Sequence, residues 1–233
     1  MTSKLKKVRL KGNESFNFRE GWLRKGMRCV EACPELFAQS DVMERLGVGS
    51  KMVKSIRFWL QAASLCGERP GAAGRGRLQV LTEDFGKVVR QWDPYFDDPF
   101  TLFLLHYHIV SNASFCMMWN IFFNEYEGQD FTKEDMKESC KALLAKKMDE
   151  GCSFSERSLA DDCSSILRMY IDPDNAGTHP EDSLACPLAE LGLLQKSTRV
   201  KNAYVKAAPS RDLLDKSAVL YVTVKNLQKG KTS

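Results

Sequence analysis

Between Asp41 and Leu65 the chain reads DVMERLGVGSKMVKSIRFWLQAASL, two amphipathic runs separated by Gly-Val-Gly-Ser, and no single element passes through that break. A short helix from about Ser40, with Ser40 as its cap, ends at Gly47, because glycine takes the positive φ a helix C-terminus asks for at little cost. Ser50 then opens a helix running to about Leu65. At 100° per residue Met52, Val53, Ile56, Trp59, Leu60 and Ala63 share one broad face. Lys51, Lys54 and Phe58 fall opposite, flanked by Ser50, Ser55, Arg57 and Gln61. Two helices at a tight glycine corner, the second apolar on one side and basic on the other, predict a helix-turn-helix.

The flanks extend that reading. Upstream, FREGWLRKGMRCVEACPELF predicts a helix stopped near Pro34. Downstream, CGERPGAAGRGRLQVLTEDFG carries a glycine-rich loop with Arg69, Arg75 and Arg77, then RLQVLT, whose alternation suits a strand. Thr82 caps a further helix through about Gln91. Helix, helix, helix, hairpin is the order of a winged helix, predicted here over residues 15–91, with ERPGAAGRGRLQVL as the wing. In that arrangement Lys51, Lys54 and Arg57 face phosphates or guanine edges, while Ser50, Ser55 and Gln61 supply polar contacts. Arg75 and Arg77, set among glycines, suit a close approach to a backbone or a narrow minor groove. The rival reading is a module for protein contact, and an outward Phe58 favours it.

Charge is distributed unevenly along the chain. Residues 1–90 carry 18 Lys and Arg against 9 Asp and Glu, while residues 91–200 carry 9 against 19. A basic block implies a polyanionic partner, here double-stranded DNA, and the acidic block a different task. After a basic leader (1–14) and the winged helix, the acidic region 92–195 reads as an α-helical bundle-like domain. Asp98-Pro99 opens FTLFLLHYHIV, Thr132 with Asp135 forms a variant capping box, and Ser155 caps ERSLADDCSSILRMYI. Over residues 196–233, STRVKNAYVKA and SAVLYVTVKNL read as two strands, a small C-terminal β-ribbon with a basic tail. Such a ribbon is weak alone, which suggests pairing elsewhere or a shortened form of a longer protein. The fold class expected is therefore mainly α.

No apolar run reaches the roughly 18 to 20 residues of a membrane helix, and the N-terminus lacks the apolar stretch of a signal peptide, so a cytoplasmic protein is expected. Eight scattered cysteines suit reduced thiols. Cys29 and Cys33 lie four apart but find no second pair at zinc spacing. His106 and His108 are two apart and diverge on a helix. His179 sits in an acidic loop-like segment. The aromatics Phe115, Trp119, Phe122, Phe123 and Tyr126 form a packing stripe. There is no Walker loop, dinucleotide glycine pattern, nucleophile elbow or metalloprotease helix, so the expectation is no catalytic residue, no metal and no cofactor. An enzyme hidden in the acidic region would need His106, His179 and carboxylates to meet in space.

The runs FREGWLRKG, LGVGSKMVKSIRFWL, DPYFDDPFTLFLLHYHI, FTKEDM and EDSLACPLAELGLL together resemble an uncharacterised bacterial domain-of-unknown-function family, over most of residues 15–195. The resemblance implies genes beside phosphoadenosine-phosphosulfate-reductase-like enzymes in DNA modification and phage-defence clusters, and members longer than this chain. It supplies no catalytic residues. The reading that follows is a non-catalytic DNA-binding accessory or regulator, with a protein partner from such a complex held by the acidic region; the alternative is an adaptor without direct DNA contact.

Overall fold

The computed structural model describes residues 4–19, 21–71, 76–171 and 186–231. Within them the chain is mainly α-helical, with two small antiparallel sheets. Helix α1 (Trp22–Ala32) buries Leu23, Gly26, Met27 and Val30 and stops before Pro34. Helix α2 (Val42–Leu46) starts after Asp41 rather than Ser40 and ends at Gly47, whose φ of 60° is the left-handed closure expected there. Helix α3 (Ser50–Ala62) follows, with Val53, Ile56, Trp59 and Leu60 buried as its apolar face predicts.

Strands β1 (Cys66–Pro70) and β2 (Arg77–Leu81) pair antiparallel, placing Glu68 opposite Gln79 and Pro70 opposite Arg77. The Gly71 N–H donates to the Gly76 carbonyl at 2.8 Å and narrows the hairpin end. Helix α4 (Gly86–Trp92) begins later than a cap at Thr82 implies. The Thr82 hydroxyl accepts from the Gly86 N–H at 2.8 Å and donates to the Ser64 carbonyl at 2.6 Å, tying the helix start to the end of α3. A methyl group at Gly86 would lie 1.9 Å from the Leu65 carbonyl oxygen, which already accepts from the Thr82 N–H. Gly86→Ala is therefore expected to lose about 1–3 kcal/mol through overpacking. An unchanged urea midpoint would refute that tightness.

The rest of the chain is built from α5 (Pro99–Ser111), α6 (Met117–Asn124), α7 (Lys133–Lys147) and α8 (Glu156–Tyr170). Their caps follow the sequence. Asp98 accepts from the Phe100 N–H with Pro99 at the first turn, Thr132 and Asp135 form the reciprocal box, and Ser155 accepts from the Ser158 N–H. A 3-10 turn, Pro187–Leu191, covers α5 and α8. Strands β3 (Asp130–Phe131), β4 (Leu194–Lys196) and β5 (Tyr204–Lys206) make the second sheet, with β5 in the middle.

The C-terminal ribbon is built differently from the expectation. STRVKNAYVKA does supply β5, but SAVLYVTVKNL lies within a helix, α9 (Lys216–Lys231). Its β-branched run suggests a strand, yet Ala218, Tyr221 and Lys225 recur at helical spacing and face the body of the protein. Ala218 is buried, the Tyr221 hydroxyl meets His108 Nε2 at 3.0 Å, and the Lys225 ammonium reaches Asp84 at 2.7 Å. The Asp215 carboxylate accepts from the Ser217 N–H at 2.6 Å and caps the start. Packing against α5 outweighs the local β preference.

The basic leader is not a free arm. The Leu5 N–H donates to the Lys147 carbonyl, Asn13 donates to the Ser165 hydroxyl, and the Phe16 carbonyl accepts from both Ser55 and Trp59. Residues 5–18 thus thread between α3 and the end of α7 with α8. One apolar core runs across the expected boundary at 91/92, where the Trp59 and Trp119 rings meet edge to face at 5.5 Å.

Candidate nucleic-acid interface

Helix α3 is covered on two sides, and this divides the residues expected to meet DNA. Ser50, Lys51 and Lys54 are exposed at its N-terminal half, with the Lys54 ammonium 4.0 Å from Glu14. Gly49 precedes the helix without a side-chain cap, so no capping side chain ties up its first N–H groups. Ser55 and Phe58 correct the helical-wheel expectation: both are buried. The Ser55 hydroxyl donates to the Phe16 carbonyl at 3.1 Å. Phe58 packs against Trp59 and Phe115, under the Arg9 guanidinium 5.3 Å from its ring. A wheel drawn on α3 alone has no knowledge of the leader that closes over it. Phe58 is thereby removed as a surface contact for a partner.

Arg57, Gln61 and Arg77 come together, on a residue that the sequence reading passed over. Arg57 and Gln61 are one turn apart on α3, Arg77 and Gln79 are two apart on β2, and all four aim at Glu68 of β1. Glu68 Oε1 accepts from Arg57 at 2.7 Å, Gln61 at 2.6 Å and Gln79 at 3.0 Å, while Oε2 accepts from Arg77 at 2.7 Å. Burial alone would raise this carboxyl. The hydrogen bonds from Arg77, Arg57 and Gln61 outweigh it and pull the group down to about 2. Glu68 is therefore ionised at neutral pH. The available signal was one acid set among three arginines in the ERPGAAGRGR segment. Arg69 is exposed on the same strand as Glu68, and Arg75 lies outside the described residues.

The other candidate chemistry resolves into packing. His106 is half-buried, with Nδ1 at 2.8 Å from the Tyr170 hydroxyl, and loss of water around the ring pushes its imidazole down to about 3. His108 meets Tyr221 and packs at a tilt against Phe85. His179 lies outside the described residues. Cys29 and Cys33 are free thiols, and among the described residues no three His, Cys, Asp or Glu side chains gather to hold a metal ion. No helix among those residues is long and apolar enough to cross a membrane.

A family model described as a protein of unknown function (DUF4007) matches residues 10–233. The chain belongs to the DUF4007 family. The match extends the uncharacterised family indicated by the motifs over residues 15–195. No curated protein matches this DUF4007 chain. Among solved structures it is similar to two crystal structures of SspB, one of them magnesium ion-bound. Identities are 28% and 27% and TM-scores 0.76 and 0.75, over 95% of this chain. The DUF4007 chain spans 64% of the length of each SspB chain.

Proposed function

We propose that the N-terminal region is a winged helix-turn-helix that binds duplex DNA, with α3 as the recognition helix and the β1–β2 hairpin as the wing. The observation that carries this reading is the joining of the two parts. The exposed, uncapped N-terminal half of α3, bearing Ser50, Lys51 and Lys54, belongs to the same helix that Arg57 and Gln61 pin to the hairpin through Glu68. A helix N-terminus favours phosphate, and lysines beside it add to that field. Arg77 stands at the hairpin edge with its side chain 73% exposed. On this reading Ser50, Lys51, Lys54, Arg75 and Arg77 take phosphates, and Ser55 serves the fold.

The biological setting we infer is an accessory or regulatory role, without catalysis by this chain, in a bacterial DNA modification or phage-defence system. That part rests on the family resemblance, with the acidic region 91–200 holding the protein partner.

The test is a duplex-binding titration across salt concentrations. Replacing Lys51 and Lys54 together by alanine is expected to weaken binding and to flatten the log-log salt dependence by about 1.8 units, two phosphate contacts at about 0.9 each. An unaltered slope would remove these lysines from the interface. If the folded chain shows no duplex affinity at low salt, the adaptor reading replaces this one. Its surface is then the exposed group Val88, Trp92 and Tyr95 rather than Phe58, since Trp92 is 76% exposed.

A further inference from the structure

The two carboxylate oxygens of Glu68 do different work. Oε1 is held by three donors from two elements, and one of these, Arg57, is further fixed with its guanidinium 5.8 Å from the centre of the Phe37 ring. Gln79 is buried. That half of the site is part of the fold. Oε2 receives one bond, from the most exposed side chain of the cluster, Arg77. An ion pair of this kind at the surface is weak, and a guanidinium binds phosphate oxygens with the same geometry it uses for a carboxylate.

We infer that Glu68 is a resident phosphate mimic that latches the wing arginine Arg77 in the free protein and releases it to a DNA phosphate on binding. The inference rests on the DNA-binding reading above and goes beyond it by naming the residue that regulates the wing. The latch has a fixed side and an exchangeable side. Arg57, Gln61 and Gln79 hold the carboxylate in place and keep the hairpin against α3, whereas Arg77 changes partner. Glu68 then lowers duplex affinity generally, because every phosphate that takes Arg77 must displace a bond already made.

The experiment is a double-mutant cycle on the full chain, with a defined duplex as ligand and thermal unfolding as the check on folding. Glu68→Gln is close in shape and removes the charge. It is expected to tighten duplex binding about 2- to 5-fold, and Arg77→Ala to weaken it. In the Arg77→Ala background the Glu68→Gln gain is expected to vanish. A gain of equal size in that background would overturn the latch, leaving Glu68 only a general repulsive charge; no gain in either background would overturn it too. If Glu68→Gln does not fold, nitrogen-15 spectra of the arginine side chains in the unaltered chain decide. On adding duplex the Arg77 signal moves and the Arg57 signal stays if the latch opens, and an unmoved Arg77 signal overturns it. Should neither the unaltered chain nor Glu68→Gln bind duplex at low salt, the DNA-binding reading itself falls and takes the latch with it. Should both bind equally, only the latch falls.

Discussion

Trp59→Ala is expected to cost about 3–5 kcal/mol, the range for deleting a large buried aromatic, and so a large share of the roughly 5–15 kcal/mol that holds a domain folded. Trp59 is fully buried at the centre of a ring cluster, edge to face with Phe18 at 5.3 Å, Phe58 at 4.9 Å and Trp119 at 5.5 Å. Phe18 belongs to the segment just before α1, Phe58 to α3 itself and Trp119 to α6. One side chain therefore couples the N-terminal region to the acidic helices, and its removal opens a cavity bordered by three elements that cannot all close in. Trp59→Phe keeps an aromatic ring but loses the indole N–H and part of the volume. The indole N–H donates to the Phe16 carbonyl at 2.9 Å, but that carbonyl also accepts from Ser55. Losing one of two donors leaves no orphaned group, so the lost hydrogen bond costs about 1 kcal/mol and the smaller ring adds a partial cavity, for about 2 kcal/mol in all. Urea unfolding of both variants checks the pair. An alanine variant within 1 kcal/mol of the unaltered chain would contradict the shared core.

Where neighbours in sequence decide the structure, the sequence was readable. Gly47 closing α2, Asp98-Pro99 opening α5, and the Thr132–Asp135 box are short-range devices whose hydrogen bonds form within a few residues. The alternation in RLQVL marks β2 for the same reason, whereas CGERP carries no such pattern and β1 follows from its pairing with β2. What could not be read was decided at long range. Ser55 and Phe58 look outward on a wheel because the leader that covers them lies about 40 residues earlier in the chain. SAVLYVTVKNL looks like a strand because Val and Thr dominate it, and only the surface of α5 with Asp84 makes the helix preferable. The candidate interface was half legible. Lys51 and Lys54 are where the spacing put them, whereas the convergence of Arg57, Gln61 and Arg77 on Glu68 needs the register of β1 with β2 and the angle of α3. Neither is written in local periodicity.

Asp162→Asn is expected to stabilise the chain at pH 8 by on the order of 4 kcal/mol relative to its effect near pH 4, about three units at 1.36 kcal/mol each. Asp162 lies on α8 and is 4% exposed. Burial pushes its carboxyl up from an ordinary 3.8 to about 7, opposed by the Lys11 N–H and reinforced by the charge of Asp161. Both carboxylate oxygens sit 3.1 Å from that one N–H, while the Lys11 ammonium turns to Asp161 at 2.6 Å. The charged form thus has one backbone donor, and the Lys11 ammonium, whose charge favours it, is paired with Asp161. The native state holds its proton up to about pH 7, and the unfolded chain releases it near pH 4. Unfolding therefore gains from each rise in pH across that window, so stability falls as pH rises and the full penalty is present above pH 7. Asparagine keeps an oxygen for the Lys11 N–H and never charges, so the penalty disappears with it. His106 acts in the other direction, since its depressed pKa withdraws stability as pH falls below about 6.5. Because His106 is common to both proteins, it cancels when the two unfolding curves are subtracted at each pH. A difference that stays constant between pH 4 and pH 8 would mean that Asp162 is already ionised in the folded chain at the lower end, with the leader supplying more stabilisation than one N–H.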